Sequence, residues 1–409
     1  MYRHNAGVYH KKQMIDMAIH TSANRTAVED QKPPNGECVR SESEVHIKKT
    51  PFHIPSLDGI RACSFLIVFL AHAGLNNYIP GYFGLSLFFF LSGYLITTYL
   101  RIEFERTGTI SLKQFYMRRA LRILPPFYLI LFVATALAYI GVIGGTLRVG
   151  PLLMQVFHLA NYQVIIDGWG VGTAAGTWVY WSLAVEEHFY LGFPLLYLWL
   201  CRQGVDARRQ AIILISICSF ILIWRCVLVF FLNGSHDRVY LGTDTRVDSI
   251  LAGCLLAIWG NPVLDRTSIS DKKLGLFWLP LGIAAILLSL LPRVHDFDQT
   301  IRYTLQSFGL TPFFIAAIRW HDRSLFRILN FAPIRYMGVL SYSLYLMHTP
   351  MLWGLSYWLP WPEWLRGVIG LVALLGIATL IYHFVERPCA RLKNRLSQHL
   401  VTPTQAAKI

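Results

Sequence analysis

The sequence predicts an all-α fold: a polytopic transmembrane helix bundle of about ten spans, with both termini cytoplasmic. Three observations carry this reading. Of the 409 residues, 54% are hydrophobic and 15% charged. Soluble domains hold roughly a quarter charged residues, so the apolar excess needs a second solvent. Apolar runs recur near 57–77, 82–100, 123–143, 178–200, 210–232, 246–260, 274–291, 301–318, 337–357 and 365–385. A helix needs about 20 such residues to cross roughly 30 Å of hydrocarbon. Finally, the basic residues fall mainly in alternate loops.

Residues 1–53 are polar and hold Lys11, Lys12, Arg25, Lys32, Lys48, Lys49 and the breaker pair Pro33-Pro34. They show no apolar core of a signal peptide and read as a flexible cytoplasmic tail. Residues 54–390 form the membrane domain, and 391–409 a cytoplasmic C-terminal tail. The weaker stretch Pro151 to Ile166 reads as a re-entrant or interfacial helix in a long outer loop. The run at 246–260 is short. Heavy basic loops follow the even-numbered runs, beginning with Arg101, Arg106, Lys113, Arg118, Arg119 and Arg122. The intervening loops hold little beyond Arg148, Arg238 and Arg293. The positive-inside rule then places both termini in the cytoplasm. The net charge of +14 is thereby spent on topology, and no nucleic-acid partner is expected. Seven cysteines are scattered without CxxC or Cys/His spacing, so neither a disulfide framework nor a metal site is predicted.

Ionisable residues inside apolar runs cost several kcal/mol unless paired or wet, and each is a functional candidate. The first run holds Asp58, Arg61 and His72. Arg61 and His72 lie eleven residues apart, about three turns, so they share a helix face at a separation of about 16 Å. Asp58 and Arg61, at i,i+3, can neutralise each other. The fourth run carries Glu186, Glu187 and His188 at a depth near that of His72. Adjacent positions differ by about 100° around a helix, so the two glutamates point in different directions. A histidine with a carboxylate to orient it suits general-base catalysis. The same groups suit a proton relay, and His72 alone also reads as interhelical glue. Arg119 and Arg122, at i,i+3, present two guanidinium forks to one side, a geometry suited to phosphate. Taken without context, plain topological charge is the simpler account of them. Arg225 interrupts the fifth run, Arg246 and Asp248 open the sixth, and His348 lies in the ninth.

Together these motifs resemble the integral-membrane acyltransferase-3 family, which includes O-antigen, exopolysaccharide and nodulation-factor acetylases and macrolide acyltransferases. The matching segments are Leu57 to Arg61 with His72, Gly84 to Tyr94, Arg118 to Pro125, Trp181 to Tyr190, Ser341 to Pro350, and Glu386 to Pro388. They occur in the family's order over about residues 54–390. The resemblance implies a catalytic set of His72, Glu186, Glu187 and Arg61, and a donor-binding set of Arg119, Arg122 and Arg118. It implies an O-acyltransferase of the bacterial inner membrane, most simply an O-acetyltransferase. The donor would be cytoplasmic acyl-CoA, as acetyl-CoA, with no tightly bound cofactor and no metal. The acceptor would be a carbohydrate, glycolipid or macrolide hydroxyl. Larger members carry an extracytoplasmic SGNH-type hydrolase domain after the last span. Only a short stretch follows Arg395 here, so the expectation is a self-contained enzyme or one with a separate partner. The rival reading is a proton-coupled transporter of glycan or lipid precursors, with His72, Glu186 and Arg225 as its relay. A non-catalytic scaffold gains little from buried charge.

Overall fold

The computed structural model describes residues 54–265, 269–291 and 295–392. The N-terminal tail, and the C-terminal tail beyond Leu392, lie outside the described residues. Among the described residues the regular structure is helical, without strands; one isolated antiparallel bridge joins Gly145 and Ala174.

Among the described residues, ten helices of 16 residues or more form at the ten apolar runs. They are α1 (Pro55–Leu70), α2 (Gly81–Thr107), α3 (Leu112–Tyr139), α4 (Trp181–Arg202) and α5 (Ala207–Phe230), then α6 (Thr243–Ile258), α7 (Asp271–Leu290), α8 (Arg302–Arg319), α9 (Ala332–Trp358) and α10 (Glu363–Ile381). Local chemistry sets several ends. Pro55 opens α1, where its missing N–H costs nothing, and Asp58 sits in the same first turn, facing the positive end of the helix dipole. Asp206 caps α5 by accepting from the Arg209 amide at 2.8 Å. Gly108 closes α2 in the left-handed region at φ 70°. The stretch Pro151 to Ile166 forms two eight-residue helices, Val149–Val156 and Ala160–Asp167, separated by a short turn.

Six of the ten helices are long and apolar enough to cross a membrane by length and composition: α1 with the turn that follows it, α2, α3, α5, α7 and α10. The chain is thus a multi-pass membrane protein. The other four, α4, α6, α8 and α9, are short or polar. Helix α6 has only 16 residues. Ser182, Arg246, Asp248, Gln306, Ser343 and His348 on these helices are all buried. A helix surrounded by protein can carry such residues, because its neighbours supply partners that lipid cannot. Conversely α5, α7 and α10 expose broad apolar faces, including Phe220, Ile223, Leu276, Leu287, Val368 and Val372.

Helix α2 packs along α6 and α1, and α9 lies along α1 and α10. The α2–α6, α2–α1 and α9–α1 contacts bring backbone against backbone. A Cβ on Gly93 would lie 1.9 Å from the Ile250 carbonyl oxygen, and one on Gly253 2.0 Å from that of Phe90. On the other side of the bundle, a Cβ on Gly338 would lie 1.9 Å from the Asp58 carbonyl oxygen. Small residues allow this approach, and dispersion between close backbones replaces the hydrophobic drive that lipid does not provide. Between α5 and α6, Arg225 pairs with Asp248 at 2.8 Å with both side chains out of solvent. Its guanidinium also donates to Thr245 O at 2.7 Å and to Thr304 Oγ1 at 2.6 Å.

Two stability predictions follow from this packing. Gly253→Val should destabilise the protein by at least about 3 kcal/mol through overpacking. Thermal unfolding in detergent checks this, and an unchanged midpoint would contradict the α2–α6 contact. Arg225→Met should cost about 3–5 kcal/mol by leaving Asp248 buried without its partner. The double variant Arg225→Met/Asp248→Leu should recover much of that loss.

Candidate active site

Helix α1 does not end as a regular α-helix. Its last turn, Ala71–Leu75, widens to π geometry, and Gly74 closes it at φ 97°. Such turns re-aim side chains and recur at functional sites. Here the turn carries His72, which is exposed. Its Nδ1 lies 3.0 Å from Val68 O and 3.3 Å from His348 Nε2. His348, on α9, is fully buried, and its Nδ1 lies 2.5 Å from Tyr345 O. Carbonyl oxygens only accept, so this pattern assigns a proton to Nδ1 of both rings. His348 Nε2 is then an acceptor facing His72 Nδ1–H. That leaves His72 Nε2 unprotonated, with its lone pair available as a base.

His72 lines a cavity of about 470 Å³ whose walls include Tyr82, Trp178, Trp181, Tyr240, Tyr345 and Glu363. That volume falls in the usual range for small-ligand sites. Tyr345 is held at its hydroxyl by Ser182 Oγ at 2.6 Å. The cavity is therefore walled largely by aromatic rings, with one imidazole and one carboxylate among them.

A second polar layer forms further along α1. Arg61 Nη1 donates to Asp58 Oδ1 at 2.8 Å, the pairing that their spacing predicts. Glu186 accepts from Ser92 Oγ at 2.8 Å and has Arg119, Arg122 and Arg61 as its electrostatic neighbours. The Arg119 guanidinium lies over the Tyr190 ring at 5.3 Å and the Phe115 ring at 5.8 Å. Glu187 also faces Arg119, and its Oε1 is buried without a hydrogen-bond partner among the described residues. Arg118 turns away from this group, donating to Glu103 Oε2 at 2.9 Å.

The structure thus brings Arg61, Arg119, Arg122, Glu186 and Glu187 into one layer, and separates Arg118 from it. The expectation that a glutamate orients the His72 imidazole has no counterpart among the described hydrogen bonds. His348 and Val68 O hold that ring instead. The ninth run did carry His348 as a visible signal, but nothing local to it names His72 as its partner. Glu363 was not singled out in the sequence, where it reads as an ordinary first-turn carboxylate. Nuclear magnetic resonance of ¹⁵N-histidine-labelled protein should show His72 protonated at Nδ1 and bare at Nε2. In His348→Ala the Val68 carbonyl still accepts from Nδ1–H, so the tautomer should persist while the His72 Nδ1 resonance shifts on losing its second acceptor; an unaltered His72 spectrum would remove His348 from this role.

Comparison with known proteins supports the motif reading. Residues 54–383 match the family model of an acyltransferase domain. The O-acetyltransferase OatA of Staphylococcus aureus is 32% identical over 354 residues, covering 83% of this chain and 57% of that protein. The peptidoglycan O-acetyltransferase OatA of Listeria monocytogenes is 30% identical over 356 residues, or 82% of this chain and 56% of that protein. The putative peptidoglycan O-acetyltransferase YrhL of Bacillus subtilis is 30% identical over 359 residues, or 83% and 56%. The chain therefore spans a little over half the length of these curated relatives. No solved structure gives a significant match. The six ordered motifs, the helical architecture and a family match covering nearly all the described residues lead to one conclusion: this chain belongs to the acyltransferase-3 family.

Proposed function

We propose that the chain is a membrane-embedded O-acetyltransferase, moving an acetyl group from cytoplasmic acetyl-CoA to a hydroxyl of a cell-wall glycan. The observation that carries this reading is the His72–His348 pair. It presents one imidazole nitrogen as a free base at a cavity large enough for a sugar residue. The names of the relatives support the chemistry, and two of them support peptidoglycan as the acceptor.

In this mechanism the donor's phosphates engage Arg119 and Arg122, whose guanidinium groups suit bidentate anion contacts. Its thioester arm extends along α1 past Arg61 toward His72. His72 Nε2 takes the proton of the acceptor hydroxyl as the oxygen attacks the thioester carbonyl carbon. A carbon–oxygen bond forms, the carbon–sulfur bond breaks, and the leaving thiolate receives the proton held on His72. Val68 O, with His348 beside it, keeps the ring in the tautomer that this cycle needs. Glu186 and Glu187 balance the arginine charge, so the layer can sit inside the bundle without net repulsion.

The same reading makes all ten long helices membrane spans, with both ends of the chain in the cytoplasm and the membrane the bacterial inner membrane. The arginine layer would then lie toward the cytoplasm and the His72 cavity toward the outside. A transporter reading requires Arg225 in a relay with His72 and Glu186. Its guanidinium is instead occupied by Asp248, Thr245 O and Thr304.

Purified protein with radiolabelled acetyl-CoA should release acetate slowly, or transfer acetyl to glycan fragments. His72→Ala should abolish both while remaining folded and monodisperse. Activity retained in that variant would remove His72 from the chemistry. Arg119→Ala and Arg122→Ala should each raise the donor KM about tenfold, the loss of one charge-assisted contact. An unchanged donor KM would return both arginines to topology.

A further inference from the structure

The donor has residues proposed for it, but the acceptor does not. The cavity beside His72 carries two features that an apolar core does not explain. Trp169, in the connection between α3 and α4, lines the cavity and is 43% exposed. The ring is nevertheless held in place, since its Nε1 donates to Asp237 Oδ2 at 3.0 Å. An indole fixed at its edge and open to a cavity is a preformed platform.

Glu363, in the first turn of α10, reaches the same cavity with a side chain that is 66% exposed. It lies against the turn that carries His72, since a Cβ on Gly74 would be 2.2 Å from Glu363 Oε2. Its nearest basic neighbour, Arg366, is 3.9 Å away, beyond hydrogen-bond length, so that pairing leaves the carboxylate lone pairs free to accept.

A sugar ring has C–H groups on its faces and hydroxyls around its edge. It is therefore matched by a flat aromatic face together with an ionised acceptor set to one side. We propose that Trp169 and Glu363 form the acceptor subsite for a hexose-type ring of a glycan chain. The ring packs on the Trp169 indole and its hydroxyls donate to Glu363, which presents a neighbouring hydroxyl to His72 Nε2. This assignment rests on the O-acetyl transfer reading for its purpose, though binding alone can be measured without it. The competing explanation is local stability, with Trp169 tying its loop to the short helix His236–Leu241.

Two measurements on the full chain in detergent separate these possibilities. The first is calorimetric binding of a soluble N-acetylglucosamine oligomer without donor. Trp169→Ala and Glu363→Gln should each weaken it about tenfold, as loss of one charge-assisted or stacking contact implies. Trp169→Phe keeps a flat ring without the indole N–H, and should restore most of the affinity. The second is steady-state transfer from acetyl-CoA to that oligomer, in which the variants should raise the acceptor KM while the donor KM stays within about twofold. Unaltered oligomer affinity in both variants would overturn the subsite, as would Trp169→Phe binding no better than Trp169→Ala. A wild-type protein that binds the oligomer through these residues but transfers nothing would keep the subsite and overturn the transferase reading.

Discussion

A charge placed among apolar helices must find a partner within the protein, and the architecture of this chain follows from how its charges are matched. Arg225 is closed off by Asp248 on the neighbouring helix. Arg246, equally buried, has no carboxylate on its guanidinium among the described residues and lies instead 3.6 Å above the Tyr303 ring, with Tyr240 and Phe89 around it. Ring quadrupoles there do what an anion does for Arg225. Both arginines require dense protein on every side, so the helices that hold them pack against one another. Helix α5 buries Arg225 on one side and, like α7 and α10, exposes apolar side chains on another.

Glycine is what allows such density. Gly93 and Gly253 bring α2 and α6 to backbone contact, and Gly338 does the same for α9 and α1. The second contact has a consequence for the site. By fixing α9 against α1 it sets the register that brings His348 to His72, one helix pair carrying both rings. Gly74 adds a further requirement, because the left-handed turn after His72 leaves just enough room for the Glu363 carboxylate.

The result is a division along α1. At one level, arginines from α1 and α3 lie near glutamates from α4, with Arg61 paired to Asp58 and Glu186 accepting from Ser92. About three turns away, the same helix opens into a cavity of rings with one imidazole and one carboxylate. In the proposed reaction the first environment serves the anionic donor and the second the hydroxylated acceptor. A group transferred between them would travel along a single helix face. The separation also explains why no glutamate hydrogen-bonds His72 among the described residues: Glu186 and Glu187 are committed to the arginine layer.

Much of the fold was legible in the chain itself. A run of about 20 apolar residues has few alternatives to a helix, because every backbone polar group must be satisfied within the segment. The positions of the six long apolar helices, and the Asp58–Arg61 pair within one turn, depended only on such local rules; the shorter or more polar α4, α6, α8 and α9 rely on protein neighbours. The ordered motifs of the family were likewise present before any packing, whereas the π turn at Ala71–Leu75 that carries His72 breaks the regular helical periodicity on which its shared face with Arg61 was read. Tertiary structure decided what lies between helices distant in sequence. It chose His348 over the glutamates as the partner of His72, turned Arg118 to Glu103 while Arg119 and Arg122 stayed with Glu186, and brought Trp169 and Glu363 to one cavity. Helical periodicity gives the direction in which a side chain leaves its own helix. Which atoms it meets depends on the crossing points of other helices, and those were set by glycine contacts whose partners lie up to about 290 residues away.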